Sequence, residues 1–156
     1  SALALIGALF LIFIQLYFVK LKNTSLYIQD LILVIFSIPL GFALEMFFIQ
    51  TRLVQYVNSN HIIPPIWVLC LYPLFSLLLN HSLKIIKHSY IASFVFGFIG
   101  APLSYIAGVS LGGVIFLHSL LYTYMIIGFS WGLFLCLFTK IMNIIDKATR
   151  ETLAES

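Results

Sequence analysis

Residues 26–49 read LYIQDLILVIFSIPLGFALEMFFI: twenty-four residues with two acids, no base and no polar break long enough to leave an apolar phase. At about 1.5 Å per residue a helix of this length crosses the ~30 Å hydrocarbon core of a bilayer, whereas a barrel strand needs only about 9–11 residues. Four more runs of this kind, at 2–19, 65–83, 90–109 and 117–138, fill nearly all of the rest of the 156-residue chain. With 62% hydrophobic and 8% charged residues, the composition is that of a membrane protein and not of a water-soluble domain. Because backbone polar groups find no partner in lipid, each run is read as a helix. The expectation is an all-α polytopic transmembrane bundle of five spans over 1–139, followed by a cytoplasmic tail over 140–156.

Basic residues orient the bundle. If the runs alternate, Lys20, Lys22, Lys84, Lys87, Lys140, Lys147 and Arg150 gather on one face and Arg52 alone on the other. Positive loops stay cytoplasmic, so the C-terminus is expected inside and the connections 51–64 and 110–116 outside. Ser1 then begins at the outer edge of an apolar run, and a further segment is expected upstream. No basic region or small-residue cleavage site precedes the first run, which reads as a spanning helix. The scattered bases give a net charge of +3 and no concentrated patch, so no nucleic-acid partner is expected, only membrane lipids. Neither a cofactor motif nor a zinc-like His pair occurs, and no metal or cofactor is expected.

On the second run, Asp30, Ser37, Gly41, Glu45 and Arg52 fall within an arc of about 80° at helical spacing and form one polar stripe. A carboxylate at bilayer depth costs about 2.5–3.5 kcal/mol, so Glu45 is a candidate acid/base. The opposing reading is structural, with Arg52, two turns on, as its ion-pair partner at the interface. The third run ends in Leu79-Asn80-His81-Ser82-Leu83, which alternation brings to the level of Asp30. An Asp30–His81 or Asp30–Asn80 pair would orient the imidazole as a base, and His81 is therefore the second catalytic candidate. The bland alternative is interhelical hydrogen bonding by Asn80 and Ser82. The fourth run carries Ser93, Gly97, Gly100, Ala101, Ser104, Gly108 and Gly112 within about 100°, a small-residue face for a partner helix or a second copy. Tyr105 borders that face at the depth of Glu45, within reach of a hydrogen bond. On the fifth run His118, Tyr122, Met125, Phe129, Gly132 and Cys136 share a face, read as core packing, with His118 as a further titratable group and substrate-binding candidate.

Pro64-Pro65-Ile66-Trp67, the Leu79–Leu83 pentad, Gly100-Ala101-Pro102-Leu103-Ser104-Tyr105 with Gly108 and Leu111-Gly112, and the earlier Gly41 with Glu45, together resemble a bacterial inner-membrane family catalogued as domain of unknown function 2878. The resemblance runs from the second run onward and weakens over the fifth, and the family usually carries one more apolar segment ahead of the point where this chain begins. It implies a bacterial cytoplasmic membrane location. It also groups Glu45, Asn80, His81, Ser82 and Tyr105 in one pattern, and supplies no reaction. Three functions remain open: a membrane-embedded site handling a lipid or other amphiphile, with Glu45 or His81 as acid/base and Asp30, Asn80, Ser82, Tyr105, Arg52 and His118 about the substrate; a small transporter or channel subunit lined by the stripe; and an accessory subunit docking through the small face. Asp30 and Glu45 lie fifteen residues apart, ~22 Å along a helix, too far to share one pocket.

Overall fold

The structure, a computed structural model, describes residues 2–22, 24–57, 59, 62–81 and 89–154. Helix α1 spans Ala2–Lys22 and α2 spans Thr24–Gln50. Strand β1 covers Val54–Tyr56, followed by α3 at Ile66–Leu69 and α4 at Leu71–His81. Then come α5 at Tyr90–Ser110, β2 at Val114–Phe116 and α6 at Leu120–Ala154. Three stretches, Leu26–Gln50, Tyr90–Ser110 and Leu120–Ala148, are long and apolar enough to cross a membrane, while Leu5–Leu21 and Ile66–His81 are shorter apolar helices. The protein is thus an all-α multi-pass membrane protein, with three described helices long and apolar enough to span and two further apolar helical stretches.

The third run departs furthest from the uniform helix expected of it. Pro65, extended at φ −62° and ψ 144°, starts α3, and the helix breaks at Cys70. Pro73 accounts for the break: it has no N–H to give and its ring crowds the carbonyl four residues back, that of Leu69. At the other end of the chain α6 runs without interruption past residue 139 to Ala154.

The connections 51–64 and 110–116 pair as an antiparallel ribbon, with Val54 opposite Phe116, Gln55 opposite Ile115 and Tyr56 opposite Val114. Both helices that lead into the ribbon end alike. After α5 the Gly113 N–H donates to the Gly108 carbonyl and Gly112 to Val109, with Gly112 at φ 71°. After α2 the Leu53 N–H donates to Phe48 and Arg52 to Ile49, with Arg52 at φ 55°. This left-handed terminus satisfies two orphan carbonyls and turns the chain back across the helix end. Glycine suits it, as at Gly112; Arg52 holds it against the crowding of its own Cβ.

α5 and α6 pack most extensively. A Cβ on Gly97 would lie 2.6 Å from the Trp131 carbonyl oxygen, and one on Gly128 2.6 Å from that of Phe98, the carbonyl that Pro102 leaves without its helical donor. Glycines on both helices therefore let the backbones touch. Gly97→Leu is expected to force α5 and α6 apart and lower stability by about 3 kcal/mol or more, since overpacking alone costs about 1–3 kcal/mol and backbone cannot yield as a side chain does. Thermal unfolding in detergent checks this.

One cluster of buried residues, including Phe48, Val54, Val68, Tyr72 and Ile127, lies at the ribbon end; a second, Leu33, Leu79, Leu135, Phe138 and Met142, lies at the opposite end. Outside them the bundle is bare and apolar: Phe13, Ile35, Ile91, Leu121 and Ile144 are each more than half exposed. Such a surface suits hydrocarbon as the surrounding solvent. The face of α6 expected to be core belongs to this surface, because Tyr122, Met125 and Phe129 are exposed and only Gly132 of that set is buried. The buried side instead carries Thr123, Ile127, Leu135 and Thr139.

Candidate functional site

Glu45 is fully buried on α2, and its carboxylate is held by three phenols. Tyr72 and Tyr105 donate to Oε1 at 2.7 and 2.6 Å, and Tyr56 donates to Oε2 at 2.5 Å. Each tyrosine comes from a different element: α4, α5 and the ribbon. Gly41, one turn before Glu45, admits the Tyr72 ring against α2, where a Cβ would overlap it. Tyr72 stacks on Trp131 of α6 at 5.2 Å between ring centres, and Tyr105 meets Phe48 edge-on at 5.9 Å. Burial, and after it the Glu45 charge, push the Tyr56 phenol far above its ordinary range, so that it remains a protonated donor. Three phenol O–H groups thus converge as donors on the two oxygens of one carboxyl group.

Arg52 does not serve as the partner of Glu45. It is exposed, and among the described residues the acceptors of the carboxylate are taken by tyrosine. The reason is the helix terminus: the left-handed turn at Arg52 carries it off the stripe, which ends with α2 at Gln50.

Glu45 and its tyrosines line a cavity of about 460 Å³. Its walls are otherwise apolar: Trp67 and Val68 of α3, Leu71, Phe75 and Leu78 of α4, Gly97, Gly100 and Ala101 of α5, and Trp131 and Leu135 of α6. The exposed lining residues are Leu71 and Leu78 on one lip and Ser104 on the other, so the mouth lies between α4 and α5. Those two helices meet through the stacked rings of Phe75 and Phe96, 6.1 Å apart, and hold the cleft open elsewhere. Small residues keep it open on the α5 side, for a Cβ on Gly100 meets nothing within 4 Å. The small face of α5 is thus divided: Gly97 is taken up by α6, Ser93 bonds Thr139 at 2.7 Å, and Gly100 and Ser104 border the cavity.

A second polar cluster occupies the far end of α2. Asp30 is fully buried, accepting from Asn80 Nδ2 on Oδ1 at 2.6 Å and meeting His81 Nε2 on Oδ2 at 2.7 Å. The His81 side chain is 27% exposed, so this pair opens to the surface. None of these residues lines the Glu45 cavity. Ser37, between the two clusters, bonds the Val34 carbonyl of its own helix. His118 is exposed against the Tyr122 ring, remote from both clusters' hydrogen bonds. Ser82 lies outside the described residues.

Sequence reasoning paired Glu45 with Tyr105 but missed Tyr56 and Tyr72. For Tyr72 a signal was present: Gly41 one turn from Glu45 marks a place where a ring approaches the backbone. Tyr56 reaches the site only through the ribbon, which no periodicity announces.

Fold and site together define a multi-pass α-helical membrane protein with a buried carboxylate–tyrosine cluster beside an apolar cleft in its helix bundle. The chain belongs to the family described as Protein of unknown function (DUF2878), whose model matches residues 1–137. That match takes in the first run and the whole ribbon-to-α6 passage, more than the motifs quoted above carry. No curated protein and no solved structure matches the chain.

Proposed function

We propose that this protein binds a lipid or other amphiphile from within the bacterial inner membrane, with the chain in the apolar cleft and the polar end against Glu45. One observation carries the reading: a buried carboxylate, Glu45, lies in the wall of an otherwise apolar cleft whose mouth is lipped by Leu71 and Leu78 on one side and Ser104 on the other. Ligand sites of about 300–1,000 Å³ that are mostly apolar with a few convergent polar groups follow this pattern. Tyr72 and Tyr105 fix the carboxylate from two helices, so it meets a head group without reorganising, as an acid/base or an anchor requires. Asp30, Asn80 and His81 form a separate polar centre on the cytoplasmic side in this arrangement.

Two measurements test it. Gly100→Leu puts an apolar side chain into the cleft at a position where a Cβ meets nothing within 4 Å. Its stability should match or slightly exceed that of the parent, because leucine is favoured over glycine in a helix by about 0.5–1 kcal/mol, while genetic complementation is lost. Full complementation by a stable Gly100→Leu protein refutes the cleft as the working site. For orientation, a reporter joined beyond α6 should report cytoplasm and one placed at 58–61 the outer side; the reverse pattern would turn the cleft's polar end towards the cytoplasm.

A further inference from the structure

The hydrogen bonds at the end of the cleft restrict what kind of head group fits it. An ionised carboxylate offers about four lone-pair directions over its two oxygens. Tyr72 and Tyr105 occupy Oε1, and Tyr56 occupies one direction of Oε2, which leaves about one acceptor position on Glu45. Each of the three phenols has spent its only O–H on the carboxylate, and what it still presents is an oxygen lone pair. Ser104, on the lip, has spent its hydroxyl proton on the Gly100 carbonyl at 3.0 Å. The polar end is therefore a surface of acceptors around the Glu45 carboxyl group, with no cation among the described residues that line it. The Trp131 Nε1–H, without an acceptor among the described residues, is enclosed in the wall and not presented to the cleft.

Resting on the amphiphile reading above, the geometry points to a single-chain amphiphile whose head donates a hydrogen bond and carries no negative charge, a long-chain alcohol being the simplest such form. Its hydroxyl proton goes to the open position on Glu45. A long-chain amine shares the donor chemistry and gains the charge of Glu45 and the faces of the surrounding rings. A fatty acid or a phosphate-headed lipid brings an anion and more acceptors to a place already lined by acceptors, and like charges brought together in a desolvated site repel.

The protein itself provides the probe, since its only two tryptophans, Trp67 and Trp131, both line the cleft. Bromine on an alkyl chain quenches indole fluorescence on contact. The full chain, in nanodiscs of unbrominated phosphatidylcholine at alkaline pH where a fatty acid is ionised, is titrated with chain-brominated octadecanol, octadecylamine and octadecanoic acid. Gly100→Leu, with its cleft filled, sets the background of quenching from the bilayer. The expected result is saturable quenching by the alcohol and the amine above that background, with the acid at least about tenfold weaker. In Glu45→Gln the anion is gone and an N–H donor replaces it, so the acid should gain and its deficit against the alcohol should fall to about threefold or less. An acid that quenches the parent as strongly as the alcohol, or a deficit unchanged in Glu45→Gln, overturns the head-group assignment while the cleft stands as an amphiphile site. Quenching by all three probes no greater than in Gly100→Leu overturns the amphiphile reading itself. If Glu45→Gln does not fold, the alcohol-to-acid ratio in the parent decides alone.

Discussion

Glu45→Ala is expected to cost the bundle about 3–5 kcal/mol, whereas Glu45→Gln costs under about 2 kcal/mol and still abolishes function. The alanine variant leaves the hydroxyls of Tyr56, Tyr72 and Tyr105 buried without an acceptor, at about 1–3 kcal/mol for each group that water or relaxation fails to rescue. Glutamine keeps the shape and an oxygen for two of the phenols, and its new N–H can donate to the third, but it neither carries charge nor takes up a proton. Arg52 is a clean control. If it were the structural partner of Glu45, Arg52→Gly would destabilise; as an exposed residue in a left-handed turn it should gain up to about 1 kcal/mol on becoming glycine. Nor should it restore function to Glu45→Gln. Thermal unfolding in detergent, beside complementation, reads all four proteins. Equal losses for alanine and glutamine at Glu45 would mean that the scaffold itself needs the charge.

Asp30→Ala is the second large effect, at about 2–4 kcal/mol. It removes the carboxylate from buried Asn80 and from His81, of which the partly exposed His81 is the one open to water. Asp30→Asn should recover most of this, because its oxygen still accepts from Asn80. Since fifteen residues of helix, ~22 Å, separate Asp30 from Glu45, the losses of Asp30→Ala and Glu45→Ala should add to within about 0.5 kcal/mol. A coupling well above that would join the two clusters in one network through the bundle and favour a path over a closed site.

Helical periodicity carried much of this into view. The 80° arc on α2 marked Asp30, Ser37, Gly41 and Glu45, all of which are buried, and antiparallel alternation of neighbouring runs placed Asn80 and His81 beside Asp30 and Tyr105 beside Glu45. What escaped has physical causes. An arc computed on an ideal helix cannot know that the helix stops, so Arg52 was assigned to a face it never occupies. The α6 face of Tyr122, Met125 and Phe129 reads as core by the rule that apolar side chains point inward in water, a rule that loses its force where the outside is hydrocarbon. The better guide there was Gly128 with Gly132, spaced four apart opposite Gly97, where the backbones of α5 and α6 meet. The ribbon comprises three residues in each strand and lies in connections that hydropathy reads as gaps, yet it delivers Tyr56 to the carboxylate.

The central claim is that the cleft ending at Glu45 holds an amphiphile, and the most direct measurement is the mass of the protein released intact from its own membrane. Native mass spectrometry of the parent and of Gly100→Leu, extracted side by side in the same mild detergent, should show a lipid-sized adduct of one mass retained by the parent and absent from the filled cleft. Identical spectra from the two proteins, with or without adducts, would contradict it.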